Sequence, residues 1–287
     1  MTYNKMNILT FDIEEWFHLL NNESTKTERD WQKYESRIVQ NTEKIFKILE
    51  DTNTKASFFV LGWIAEKYPN VVREICDRGY EIGSHTTFHQ LVYNQDRNSF
   101  FQDVDRSIKT LEDISGKKIK MFRAPGFSIT EENLWAFEVL HELGIEIDSS
   151  VFPASRAHGG MPKYGVAQPS VLKYKGAQLK ELPINTTSIF NTPLIFSGGG
   201  YFRLLPYPVI KHLTKSSDYI MSYFHPRDFD FNQPLIKELS IQRKFKSYVG
   251  LKNAEMKLRK WTTDFEFVDI KKANDTINWN NVKTVEL

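Results

Sequence analysis

The sequence predicts an α/β fold in which a parallel sheet is covered by helices. Three observations predict it. Strand-like and helix-like periodicities alternate from Asn7 to Asp148. Helical patterns end at Gly79, Gly116 and Gly144, each followed closely by an apolar strand pattern. Polar side chains suited to chemistry fall at the C-terminal ends of the strand patterns, where such folds collect their sites. These patterns admit either an open sheet or a barrel.

The elements follow in order. Asn7 to Ile13 is a strand pattern. Ile38, Thr42, Ile45, Phe46 and Leu49 share one face of a helix. Ala56 to Leu61 is a second strand, Val71 to Arg78 a helix, and Tyr80 to Ser84 a third strand. Phe100, Phe101, Val104, Ile108, Leu111 and Ile114 mark a long amphipathic helix, and Ile119 to Arg123 the strand after it. Thr130 is placed to cap the next helix, with Glu131 and Glu132 in its first turn. Ile145 to Asp148 is again a strand. Residues 152–200, with five prolines and Gly198-Gly199-Gly200, predict long loops and short strands over one face. A helix is expected near Pro208–Lys215, a strand at Tyr219–Phe224, helices between Pro234 and Trp261, and a last strand at Phe265–Ile270.

The chain has 287 residues, enough for one large domain, with 40% hydrophobic and 26% charged residues. Its net charge of +2 gives no nucleic-acid surface, and Lys252, Lys257, Arg259 and Lys260 read as the wet face of a helix. Aromatics at 14% suit either a Phe-rich core or flat contacts with sugar rings. The single cysteine, Cys76, rules out an internal disulfide and reads as a buried helix residue. Met1 to Met6 shows no apolar signal core, and no apolar run approaches the ~20 residues of a membrane span. The expected location is the cytoplasm, with no transmembrane segment. Oligomeric state is left open.

Four strand ends carry the chemistry. In Asp12-Ile13-Glu14-Glu15, alternation puts Asp12 and Glu14 on one face if the strand persists, with Ile13 packed opposite. Two carboxylates so close call for a cation or a shared proton. In His85-Thr86-Thr87-Phe88-His89, a helical turn would let both imidazoles reach one ion. With a carboxylate they make a two-His-one-carboxylate set, which leaves open positions for water and substrate. Arg123, before Ala124-Pro125-Gly126, could pair with Asp12. His225, ending an apolar strand, could supply a general acid. Each feature alone also has a plain structural reading: a solvated strand end, a chance pair, a surface arginine, a packed histidine.

Together these motifs resemble the polysaccharide deacetylase family, the carbohydrate esterases that share the NodB homology domain. The resemblance rests on Thr10-Phe11-Asp12, Ala56-Ser57-Phe58-Phe59-Val60, Ser84 to His89, Arg123 to Gly126, and His225. It spans roughly residues 7–230. The run Asp12 to His18 and the run Gly198 to Arg203 are similar to an exopolysaccharide-biosynthesis subgroup, as is the tail carrying Phe245-Lys246-Ser247-Tyr248.

The resemblance implies a deformed (β/α) barrel in a single catalytic domain, 1–287, with a core over 1–230 and an extension over 231–287. It implies Asp12 as general base, Arg123 as its orienting partner, His225 as general acid, and His85 and His89 as metal ligands. The second metal-binding Asp of the common family pattern is replaced by Ile13, and alternation nominates Glu14 instead. Zinc is the first expectation, with manganese, cobalt, nickel or iron able to serve. The backbone near Tyr201 is expected to help hold an oxyanion. Trp16, His18, Tyr201 and Phe202 are nominated for substrate contact, although the aromatics could equally anchor loops. His18 is the reserve acid. Asp148 resembles a position near the acyl pocket, and Asp228 could orient His225. The implied partner is an N-acetylated glycan or its lipid- or nucleotide-linked precursor. Alternatives are a deformylase or amidohydrolase on a small amide or nucleotide sugar, or a silent sugar-binding homologue.

Overall fold

The computed structural model describes residues 5–156, 158–189 and 192–287. Its strands are β1 (Met6–Ile8), β2 (Thr10–Ile13), β3 (Ser57–Val60), β4 (Glu81–Ser84), β5 (Met121–Phe122), β6 (Ile147–Asp148), β7 (Ser170–Tyr174), β8 (Ala177–Glu181), β9 (Thr187–Ile189), β10 (Thr192–Leu194), β11 (Tyr219–Met221) and β12 (Lys283–Glu286). The helices are α1 (Glu28–Trp31), α2 (Ile38–Asp51), α3 (Gly62–Lys67), α4 (Pro69–Asp77), α5 (Arg97–Ser115), α6 (Trp135–Glu142), α7 (Gly199–Leu204), α8 (Tyr207–Ser216), α9 (Ile241–Tyr248), α10 (Leu251–Asp264) and α11 (Ile270–Thr276).

The main sheet runs β12-β7-β8-β6-β5-β4-β3-β2, and its pairings are parallel except the β7–β8 hairpin. Beyond β2 the sheet curls onward. The Asp12 amide donates to Phe224 O at 2.7 Å, the Phe224 amide to Thr10 O at 3.2 Å, and β1 pairs with β11 in parallel. Tyr223 N then reaches Ser197 O at 3.3 Å. Between that edge and β8 a side chain helps to close the gap. Asn185 Oδ1 accepts from Ser197 Oγ at 3.1 Å and from the Met221 amide at 3.0 Å. Closure through an amide side chain makes this a deformed (β/α) barrel.

Local chemistry sets the element ends. Asp96 caps α5 by accepting from the Ser99 amide at 2.7 Å, and Gly116 ends it with φ 67°. Thr130 does not cap α6, which begins only at Trp135. It closes a turn with Asn133 Oδ1 instead, through its amide at 2.6 Å and its hydroxyl at 2.9 Å. The strand expected at Phe265–Ile270 shrinks to a single bridge from Val268 to Ile8. Asp269 accepts from the Lys272 amide at 2.7 Å and starts α11 there. Cys76 is only half-buried in α4.

The proline-rich stretch contains the β7–β8 hairpin, and β12 pairs with β7 at the sheet edge. Gly199 and Gly200, read as loop, open helix α7. Helix α10 brings Trp261, which is fully buried against Phe202, Phe224 and Phe267. Among the described residues no helix is long and apolar enough to cross a membrane.

Candidate active site

The strands β2, β4, β5, β6 and β11 deliver their C-terminal ends to one mouth, and the run Asp12 to Phe17 shows how one segment serves several tasks. β2 stops at Ile13, which is fully buried in the core. The backbone then turns, with the Glu14 amide donating to Asp12 O at 3.1 Å. Glu14 therefore reaches the mouth through a turn rather than through continued strand alternation. Glu15 turns away and caps α2: its carboxylate accepts from the amides of Arg37 at 2.9 Å and Ile38 at 3.1 Å, and from the Ser36 hydroxyl. Trp16 and Phe17 pack edge to face in the core.

Asp12 is buried, and its Oδ1 accepts from Arg123 Nη1 at 2.7 Å. Arg123 has no exposed surface. Its Nη1 also reaches Thr10 Oγ1 at 2.7 Å, its Nη2 donates to Ser149 Oγ at 3.0 Å, and its plane lies over Phe59 at 4.2 Å. A guanidinium tied on three sides and stacked on a ring fixes the Asp12 carboxylate and leaves Oδ2 free toward the mouth.

His85, His89 and Glu14 each turn one ligand atom toward a common point, all within 4.8 Å of one another. The His85–His89 segment is not helical. Thr86 and His89 take left-handed backbone angles, φ 66° and 54°, and this loop brings the two rings to 5.4 Å. Asp103, on α5, holds the loop by accepting from the amides of Thr87 at 2.9 Å and Phe88 at 3.2 Å. His85 Nδ1 lies 2.7 Å from Arg123 O. A carbonyl can only accept, so the ring proton is on Nδ1 and Nε2 presents its lone pair inward. Burial pulls the His85 pKa down to about 4, so the ring is neutral near pH 7.

Glu14 Oε2 is buried and has no hydrogen bond of normal geometry, although it lies 2.5 Å from His89 Nε2. Burial raises the Glu14 pKa, but the His89 and His225 rings more than offset this and carry it below the carboxylate range. An ionised carboxylate oxygen without a donor, facing two imidazoles, fits a divalent cation. Ile13, at the family's second Asp position, lies in the core, so Glu14 is the carboxylate placed to complete this set.

His225 stands across the mouth, its Nε2 3.7 Å from Glu14 Oε1 and 3.9 Å from Asp12 Oδ2. Its Nδ1 is 3.1 Å from Asp228 Oδ2, which also accepts the His225 amide at 2.9 Å. Burial works against its charge, but Glu14, Asp228 and Asp12 outweigh burial and lift the pKa to about 9. Asp228 is backed in turn by Arg203, whose Nε lies 3.1 Å from Oδ1. Arg203 is anchored by the carbonyls of Ser247 at 2.8 Å and Lys246 at 2.9 Å.

The structure thus brings Asp12, Glu14, His85, His89, Arg123 and His225 together. The nominated substrate contacts fare differently. Phe202 is fully buried, 4.9 Å from the Phe224 ring, and presents no face to a ligand. Trp16 is only 3% exposed, and its Nε1 donates to Glu35 O at 3.0 Å. His18 is only 2% exposed, with Trp31 at 4.3 Å and Trp63 at 5.2 Å. Burial and the nearby His89 hold its pKa well below the usual value, which weighs against the reserve-acid role. Of the four, Tyr201 alone is accessible, at 50% exposed.

Two residues were missed. Arg203 sits inside a quoted motif, but only the fold shows that it reaches Asp228. Glu181 is the register partner of Asp148 across β6 and β8, and both are fully buried. Burial first, and each other's proximity for Glu181, raise both carboxyl pKa values. Ser150 donates to Asp148 Oδ1 at 2.6 Å, and the Val151 amide to Glu181 Oε1 at 3.2 Å. Asp148 thus belongs to a buried acid pair behind Arg123.

Fold and mouth together define the class: this chain belongs to the polysaccharide deacetylase family, whose model matches residues 3–147. A domain of unknown function (DUF3473) matches residues 149–275. A peptidoglycan-N-acetylglucosamine deacetylase of Bacillus cereus is 36% identical over 98 residues, covering 34% of this chain and 36% of the relative. A chitooligosaccharide deacetylase of Azorhizobium caulinodans is 31% identical over 85 residues, 29% of this chain and 40% of the relative. The chain therefore spans well under half the length of these curated relatives. Among solved structures, a Mycobacterium smegmatis protein described as a candidate polysaccharide deacetylase superposes with TM-score 0.69 at 17% identity. That match covers 100% of this chain and 94% of the other, and shows the shared fold.

Proposed function

We propose that the chain is a divalent-metal-dependent hydrolase that removes N-acetyl groups from an amino-sugar glycan, or from its lipid- or nucleotide-linked precursor. One observation carries the reading. An arginine-fixed carboxylate and a histidine with pKa about 9 face each other at 3.9 Å beside the Glu14–His85–His89 cluster. That is an acid and a base beside a candidate ion site. The named activities of the family relatives support it.

Glu14, His85 and His89 would hold the ion, with zinc favoured by a nitrogen-rich set and manganese, cobalt, nickel or iron compatible. When bound, the ion would supply Lewis-acid polarisation of the acyl oxygen and acidify a water. The chain's own residues do the rest. Asp12, steadied through Oδ1 by Arg123, accepts the water proton on Oδ2. His225 donates its Nε2 proton to the departing sugar nitrogen, since an amine anion is too poor a leaving group. Asp228 holds the Nδ1 proton and so sets which ring nitrogen faces the substrate.

The test is acetate release from N-acetylglucosamine oligomers, including peptidoglycan fragments, by chain stripped of metal and then reloaded with zinc. Release that needs zinc and vanishes in Asp12→Asn supports the reading. Absence of release across the panel, or equal release without zinc, contradicts it. Formate release from N-formyl substrates alone would favour the deformylase alternative.

A further inference from the structure

A second polar feature lies at the same mouth and takes no part in the acid–base chemistry. The segment after Phe152 lays Arg156 across an aromatic box. Its guanidinium carbon is 4.6 Å from the Phe152 ring, 4.9 Å from Phe127 and 5.8 Å from Tyr223. The box borders the catalytic groups directly: Tyr223 lies 6.1 Å from the His225 ring, and Phe127 also lies 5.8 Å from the Arg123 guanidinium.

The loop is built for this placement. The Gly160 amide donates to Phe127 O at 3.1 Å and the Met161 amide to Phe152 O at 2.7 Å. Gly159, at φ 139°, passes so close that a Cβ there would lie 2.2 Å from Phe127 O. Only glycine lets the backbone approach the ring-bearing segment this closely.

Among the described residues Arg156 has no counter-charge. Its Nη1 is buried without a hydrogen-bond partner, and none of Arg156, Arg243 and Lys246 pairs with a carboxylate among the described residues. The His158 pKa is lowered by burial and then by Arg243, Arg156 and Lys246. His158 Nδ1 lies 3.0 Å from Asn21 Nδ2, and Arg243 is fixed to the carbonyls of Leu20 and Asn21. Cations gathered without an anion repel one another, and a buried guanidinium nitrogen without an acceptor is costly. A ligand oxyanion would relieve both.

We infer that Arg156 forms a subsite for a compact oxyanion, a carboxylate or phosphate, carried by the glycan beside the acetylated sugar. The inference rests on the deacetylase reading for the word glycan, but the anion site stands on its own geometry. Phe152, Phe127 and Tyr223 hold the guanidinium through cation–π contacts, and its Nη1 is left without an acceptor.

The test has two arms. In the first, inorganic phosphate and D-glucuronate are titrated into wild type, Arg156→Ala and Arg156→Lys, following the His158 and Arg156 side-chain resonances where present. Binding of either anion to wild type, weakened about tenfold or more in Arg156→Ala, supports the site. The anion that binds identifies the source. No binding of either, or equal binding by Arg156→Ala, overturns it. In the second arm, kcat/KM for acetate release is compared across three substrates: a neutral N-acetylglucosamine tetramer, an alternating glucuronate–N-acetylglucosamine oligomer and a pyrophosphate-linked N-acetylglucosamine.

Wild type should prefer one acidic substrate. Arg156→Ala should lose at least about tenfold more on that substrate than on the neutral one, and Arg156→Lys should retain part of the preference. Equal losses on all substrates would reduce Arg156 to a structural role and overturn the proposal. If no amide is cleaved but the first arm succeeds, the deacetylase reading fails and the anion site stands.

Discussion

Asp12 and Glu14 are separated by one residue, yet Asp12 is bound by Arg123 while Glu14 Oε2 lies against the His89 ring. That difference underlies the proposed base and ligand roles, and it makes Asp12→Asn informative. The variant should keep fold and zinc and lose about 10²–10⁴-fold in kcat, read from acetate release; near-normal turnover would remove Asp12 from the chemistry. His225 offers a direct titration. Its pKa is raised from 6.5 to about 9 despite burial, by Glu14, Asp228 and Asp12. A raised folded-state pKa means that the imidazolium stabilises the metal-free fold fully below about 6.5. That contribution is lost as pH climbs through about 9. NMR of the ring should show this value in metal-free protein. It should fall in Asp228→Asn, and also when zinc neutralises Glu14. His85 runs the other way. Its folded value of about 4 means stability is lost as pH falls from about 6.5 through 4.

At the scale of elements, the strand ends were legible because alternation and turn chemistry are local. Asp12, Arg123 and His225 sit where short apolar runs stop, and the sequence shows those stops. Glu14 faces the mouth through a turn after Ile13, which replaces the strand alternation that the sequence suggested. Sugar-contact nominations read from aromatic character alone did less well. Phe202 is fully buried and Trp16 nearly so, because an aromatic that anchors a helix to a core looks the same in sequence as one that faces a ligand. The β7–β8 hairpin and β12 were hidden by prolines and by a partner more than 100 residues away in the chain. The Asp148–Glu181 pair was equally hidden, since it exists only through the register of β6 on β8. Both carboxyl values are raised by burial, so the pair holds a proton that it surrenders as pH rises. Glu181→Gln carries its own hydrogen. It should leave melting temperature nearly unchanged at pH 5 and raise it relative to wild type at pH 8. A lower melting temperature at both would mean that the pair is ionised and structurally needed.

Across the whole molecule, the candidate cation site draws on residues from three regions: the turn after β2, the loop after β4 and, through Arg123 O, the end of β5. An ion that binds only the folded chain stabilises it by mass action, by about 2.7 kcal/mol at a hundredfold excess over Kd. Zinc should therefore raise the melting temperature of wild type by several degrees and leave that of His89→Ala almost unmoved. The acid–base pair lies outside the ligand set, so its loss should not alter ion binding. The most direct measurement is zinc content per chain after equilibrium dialysis of wild type, Asp12→Asn and Glu14→Ala. The account predicts one ion per chain in wild type and Asp12→Asn, and almost none in Glu14→Ala. Full occupancy in Glu14→Ala, or an empty Asp12→Asn, would contradict it.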